Sequence, residues 1–186
     1  MAAALAPAAT DVGRLAGALE LPILAQYVDD VEPGQRTGSL PVAAVAAAGG
    51  RGSLVNHSEH PVAPATIEAL VGRLRVAGLA SVVCARTAAD AAALAAYRPD
   101  YLAVEPPELI GGSRSVSTAK PEVVTATVEA VAAVAPEVIV LCGAGVHDRR
   151  DVAMALELGA AGVLVASAVA RAADPGAALD ELLAGF

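Results

Sequence analysis

The chain has no tryptophan, one phenylalanine and three tyrosines among its 186 residues, so its interior must be aliphatic. Hydrophobic residues still make up 56% of the sequence, with alanine prominent, and packing has to come from Ala, Val and Leu in close helix contacts. The length suits one domain burying roughly 70% of its unfolded surface. Lysine is nearly absent: Lys120 is the sole one, arginine carries the remaining positive charge, and the net charge is −8. A polyanionic partner calls for a basic face, so neither nucleic acid nor an anionic membrane is expected, and a soluble, cytoplasmic protein is. Cysteine is scarce too. Cys84 and Cys142 lie in apolar runs without ligand-spaced His or Cys, which reads as two reduced core thiols and no metal site. No basic leader follows Met1, and no apolar run of about 18 residues is free of charges or breakers. Neither a signal peptide nor a membrane span is expected.

What is present is an alternation of short apolar runs and helical patterns. Strands are predicted at about 3–7, 23–28, 53–56, 81–85, 101–105, 138–142 and 162–166, from their apolar content and bounding breakers. Between them, Thr10-Asp11 is a good N-cap pair ahead of Val12, Leu15 and Leu19. A polar stretch from Asp29 to Pro41, with Pro33-Gly34 and Thr37-Gly38, is a loop. Helices are predicted at about 42–48, 65–76, 87–96, 121–135, from Asp148 to Leu158, and after Asp174-Pro175. Buried strands alternating with amphipathic helices mean parallel βαβ units, hence a doubly wound sheet or a (β/α)₈ barrel. The chemistry-bearing residues all follow strand ends and the last two such loops are small and glycine-bearing, which favours the barrel. No Gly-x-Gly-x-x-Gly follows the first strand, so a dinucleotide fold loses ground. The expected fold is therefore α/β, a (β/α)₈ barrel in a single domain over 1–186, incomplete with seven strands.

The stretch from 102 to 120 organises this pattern. A strand ends at Glu105, Pro106-Pro107 stops it, and a long loop with Gly111-Gly112 runs to Pro121. A carboxylate at the hinge of such a lid is a candidate base with gated solvent access; a solvated surface Glu is the plain alternative. A second polar cluster, Asn56-His57-Ser58-Glu59-His60, ends another strand. His57 alone would read as a hydrogen-bonded structural histidine, and its neighbours at a strand tip shift it towards the site. Gly143-Ala144-Gly145 is either a tight turn or a phosphate-binding one.

Asn56-His57-Ser58-Glu59, Val104-Glu105-Pro106-Pro107-Glu108-Leu109-Ile110-Gly111, Leu141-Cys142-Gly143-Ala144-Gly145 and Gly162-Val163-Leu164-Val165-Ala166-Ser167 together resemble triosephosphate isomerases of the archaeal type, in order and spacing. The resemblance implies interconversion of dihydroxyacetone phosphate and glyceraldehyde 3-phosphate through an enediolate, in glycolysis and gluconeogenesis, without a cofactor. It makes Glu105 the base and His57 the electrophile, the family being itself a known case of a neutral His at a helix N-terminus beneath a water-excluding lid. Ile110 and Gly111 match lid positions over the phosphate, and Gly145, Ala166 and Ser167 match a cradle of backbone N–H groups. It also implies a homo-oligomer, dimer or tetramer, with the loop from Asp29 to Pro41 docking into a neighbour.

The pattern departs from the family at three places. Ser113 and Ala168 stand where glycine is expected. The family's first strand ends in Asn-x-Lys, whose lysine binds phosphate; here Asn56 is the sole Asn and Lys120 the sole Lys, and the run from Ala3 to Pro7 matches the family's second strand. The first βα unit is thus expected to be absent, which leaves two unpaired edges. Loss of one preorganised donor costs ~10²–10³ in rate, so the chain is expected to be a poor isomerase, with a non-catalytic phosphometabolite-binding or interaction protein as the alternative. A Schiff-base aldolase needs a lysine at a strand tip, and Lys120 stands beside a helix start.

Overall fold

A computed structural model describes residues 3–106 and 115–186. They fall into two compact units, one of Met1–Val83 with Tyr97–Asp100, the other of Cys84–Ala96 with Tyr101–Phe186.

The first unit begins with Leu5, which makes an isolated parallel bridge to Ile23. The predicted strand at 3–7 is thus one bridged residue, and the one at 23–28 shortens to β1, Leu24–Ala25. Both runs are bounded by proline, and Leu5 N–H bonds to the Pro22 carbonyl at 3.0 Å while Leu24 N–H bonds back to Leu5 at 2.8 Å. A 3₁₀ turn at Ala9–Asp11 leads into α1, Val12–Ala16. The Thr10-Asp11 pair does not cap this helix through a side chain; the Asp11 carboxylate instead accepts two bonds from Arg14, at 3.1 and 2.9 Å.

The polar loop is closed at its base. Asp29 bridges Pro41, and its carboxylate accepts from Leu40 N–H at 2.6 Å, so 32–38 project as an exposed tip. Two helices follow with a strand between them: α2 at Val42–Ala47, β2 at Gly52–Val55 and α3 at Pro64–Val76. Helix α3 starts on a proline, whose missing N–H costs nothing in the first turn. It buries Ile67, Leu70, Val71 and Leu74, at the i, i+3, i+4, i+7 spacing of one apolar stripe. Near its end Arg73 pairs with Asp30, at 2.5 Å, and with Glu32, tying the loop to the helix.

Strand β3, Ala80–Ala85, pairs parallel to β2, Gly52 opposite Ala80 and Val55 opposite Val83. A Cβ on Gly52 would lie 2.3 Å from the Ala80 carbonyl oxygen, so only glycine permits this approach. At its start, Ser81 N–H and Oγ both bond the Asp100 carboxylate at 2.8 Å.

The second unit holds α4 at Ala88–Ala95, β4 at Tyr101–Val104, α5 at Val116–Ala119, α6 at Pro121–Val134 and β5 at Ile139–Cys142. It continues with α7 at Arg149–Glu157, β6 at Gly162–Val163, α8 at Ser167–Ala170 and α9 at Pro175–Leu183. Here the caps follow the sequence. Thr87 accepts from Asp90 N–H at 3.1 Å, Asp148 from Arg150 and Asp151 at 2.8 and 3.1 Å, and Asp174 from Ala177 at 3.0 Å. Helix α4 packs on α6; α4 buries Ala91, Leu94 and Ala95, and α6 buries Val124, Thr127 and Val131, so the packing is aliphatic where aromatics are missing. The core of this unit is aliphatic, with Val116, Val124, Ala144, Val146, Val152 and Leu182 among its buried members.

Strands β4, β5 and β6 are parallel, Val104 opposite Cys142 and Cys142 opposite Val163. Parallel strands with intervening helices make this an α/β fold, and six of the predicted strands are present as named strands, in sequence order. Among the described residues no helix is long and apolar enough to cross a membrane.

Candidate active site

Strand β4 delivers Glu105 into the interior. Its N–H bonds the Ala85 carbonyl at the end of β3 at 2.8 Å, and the residue is only 4% exposed, unlike a surface glutamate. On one side stands Cys84, whose thiol is hydrogen-bonded to Glu105. Burial pushes the Cys84 thiol well up, and the Glu105 charge pushes the same way, so it stays a protonated donor. On the other side is the residue after β5, Gly143, whose N–H bonds the Val104 carbonyl at 3.0 Å. Cys84 reads in the sequence as a core thiol, and its relation to Glu105 depends on strand register.

The turn after β5 continues through buried Ala144 to Gly145, which has φ +67°, a left-handed conformation natural to glycine. Ala144 accepts from Val116 N–H at 3.0 Å, which anchors the start of α5. The same anchor includes two buried hydroxyls, in a stretch whose sequence predicts a loop. Ser115 and Ser117 Oγ atoms lie 2.8 Å apart, and Ser117 donates to the Asp151 carbonyl at 3.0 Å. A Ser-x-Ser ahead of a helix start is the signal that could have found them. Asp151 in turn accepts from His147 N–H at 2.9 Å. Cys142 is also buried, and burial, then the Asp151 charge, push its thiol up to about 12; neither cysteine is in a disulfide.

After β6, Ala166 is exposed and forms the N-cap position of α8, with Ser167 half-buried as its first residue. Ile110 and Gly111 lie outside the described residues. Lys120 joins α5 to α6, at a helix start as the sequence indicates.

In the first unit, His57 follows β2 on a turn set by Asn56, whose φ is +62°. Asparagine tolerates this better than most residues, and its Oδ1 holds the next turn by accepting from Val62 N–H at 3.2 Å. His57 Nδ1 accepts from Glu59 N–H at 3.3 Å, with the Glu59 carboxylate 3.8 Å away. With Nδ1 an acceptor, the ring proton of the neutral tautomer sits on Nε2. The imidazole is partly exposed, and His60 packs on Tyr27 with ring centroids 4.9 Å apart and ring planes tilted by 40°.

The geometry thus offers a buried carboxylate at a strand tip, an imidazole at another, and short glycine-bearing or helix-starting turns after β5 and β6. Among the described residues no cluster of three His, Cys, Asp or Glu side chains could hold a metal ion.

The chain is similar to known proteins of one family. A family model described as triosephosphate isomerase matches residues 1–182. The triosephosphate isomerase of Methanosarcina acetivorans is 47% identical over 180 residues, 97% of this chain and 81% of that protein. The one from Methanothermobacter thermautotrophicus is 46% identical over 97% of this chain and 79% of its own length, and that of Cenarchaeum symbiosum is 46% identical over 96% and 80%. Among solved structures, the crystal structure of triosephosphate isomerase from Bartonella henselae superposes with a TM-score of 0.72 over 89% of this chain and 79% of that one, at 18% identity, a likeness of fold. The fold is thus that of the (β/α)₈ barrel class.

Proposed function

Since this chain belongs to the triosephosphate isomerase family, we propose that Glu105 is its catalytic base and His57 its electrophile in the interconversion of dihydroxyacetone phosphate and glyceraldehyde 3-phosphate. The Glu105 carboxylate takes a proton from the carbon beside the carbonyl and returns it to the neighbouring carbon. His57, donating from Nε2, stabilises the oxygens of the intervening enediolate. Ile110, Gly111, Gly145, Ala166 and Ser167 hold the substrate phosphate, largely through backbone N–H groups, which a left-handed Gly145 and the start of α8 suit. No cofactor takes part.

The observation that carries this reading is the burial of Glu105. A carboxylate removed from water is costly unless compensated, and a desolvated one is a stronger base towards a carbon acid than a hydrated one. The non-catalytic alternative is not favoured, because relatives 46–47% identical over nearly all of this chain are named as isomerases. The same reading places the protein in the cytoplasm, in glycolysis and gluconeogenesis, as one barrel domain. It also makes it a homo-oligomer, contacting its neighbour through the base-closed loop whose exposed tip spans 32–38.

The test is isomerase activity of the 186-residue chain beside Glu105→Gln, which keeps the shape and removes the base. Activity that falls by roughly 10⁴ in the variant supports the assignment. A Glu105→Gln protein as active as its parent overturns it.

A further inference from the structure

We propose that Gly143 is a positioning residue for the Glu105 carboxylate: the volume its missing Cβ leaves is the volume the glutamate side chain occupies. This rests on Glu105 being the base. Gly143 follows Cys142, which pairs with Val104, so Gly143 and Glu105 are consecutive partners at the ends of β5 and β4 and their Cβ directions share one face. An ideal Cβ at 143 would fall 2.4 Å from Glu105 Cγ, 2.8 Å from Oε1 and 2.9 Å from the carboxyl carbon. Ordinary neighbours on adjacent strands coexist because their side chains stand roughly perpendicular to the sheet. Glu105 instead leans across onto its neighbour, and the lean is what that neighbour's identity allows.

Glu105 is hemmed in on the opposite side by Cys84, which is hydrogen-bonded to it, and its backbone is held to Ala85. It cannot yield by sliding towards β3. Any side chain at 143 therefore rotates the glutamate to another staggered position and re-aims the carboxylate, while the Gly143 N–H to Val104 carbonyl bond is untouched. Gly143 does not have a positive φ, so alanine suits its backbone. The requirement for glycine comes from Glu105 and from nothing in the turn itself.

A double-mutant cycle on the full chain, Gly143→Ala, Glu105→Ala and the pair, tests this by thermal unfolding and by kinetics. In the presence of Glu105, Gly143→Ala should lower Tm and reduce kcat about 10²-fold, the cost of misplacing a reacting group by about 1 Å, with KM changed less than about twofold. In the Glu105→Ala background the same substitution should leave Tm unchanged, because the side chain it collides with is gone. A Gly143→Ala protein that folds only when Glu105 is also removed would support the coupling outright. Equal loss of Tm or of folding in both backgrounds, or undiminished kcat, would overturn the positioning role. Activity surviving in Glu105→Ala alone would instead overturn the base assignment, and this inference with it.

Discussion

The turn bearing His57 and the corner bearing Glu105 are built in opposite ways. The His57 turn is local: Asn56 supplies a left-handed residue, Glu59 a donor to the ring and Val62 the closing bond, all within six residues. Its imidazole keeps partial solvent contact. The Glu105 corner is non-local. Its walls come from the ends of β3 and β5, Cys84, Ala85 and Gly143, and the carboxylate is buried. The difference follows from the tasks proposed for the two groups. A base gains strength by losing water and needs a fixed direction, and only packed neighbouring strands supply both. A neutral hydrogen-bond donor needs a defined tautomer, which a short turn can provide.

The comparison would break most visibly in the rates. His57→Gln should cost ~10²–10³ in kcat, as removal of one preorganised donor does, against the larger loss for Glu105→Gln; steady-state kinetics giving the reverse order would mean the locally built group does the harder work. A smaller effect should come from the His57 turn itself. Asn56→Val forces a β-branched residue to φ +62° at about 1–2 kcal/mol, while Asn56→Gly keeps the conformation. Urea denaturation should therefore rank Gly above Val in stability, and kcat should follow the same order if the turn alone aims His57.

Buried thiols sharpen the comparison from the other side. Cys142 titrates at 9.0 when unperturbed and is pushed to about 12 in the fold, first by burial and then by Asp151. Between those values the unfolded chain has released a proton that the folded chain retains, so stability falls as pH rises. The contribution is intact below about pH 9 and disappears towards about pH 12, with a slope of at most ~1.4 kcal/mol per unit. Urea midpoints of the parent should drop more between about pH 8 and about pH 10.5 than those of Cys142→Ala; parallel declines would show that the thiol is not held protonated. The smallest effect belongs to the exposed pair of Arg149 and Glu181, which lowers the Glu181 carboxyl below its usual range. Arg149→Gln should leave Tm unchanged within error at any salt concentration, since exposed pairs add little; a clear, salt-sensitive drop would make this tie between α7 and α9 a structural one.

Much of this molecule was legible in its residues. Thr87, Asp148 and Asp174 cap the helices they precede, because N-cap chemistry is satisfied within three residues. The one cap that fails, Thr10-Asp11, fails to a local competitor, Arg14. Strands whose partners lie on both sides, such as β3 and β5, appear close to where their apolar runs predict. The runs at 3–7 and 23–28 shrink to a bridge and a two-residue strand, because pairing is cooperative between chains of residues and apolar content alone does not supply a partner.

The sequence by itself determined the alternation of strands and helices, the aliphatic core, the helix starts, and the positions of Glu105, His57 and Gly145 at the ends of apolar runs. These depend on periodicity and on bonds between residues a few places apart. The tertiary structure alone decided that Glu105 is buried, that Cys84 bonds to it, and that Gly143 is empty where the glutamate lies. Those facts are set by register between strands about 20 and about 40 residues apart along the chain, where a shift of one residue would turn each side chain to the other face.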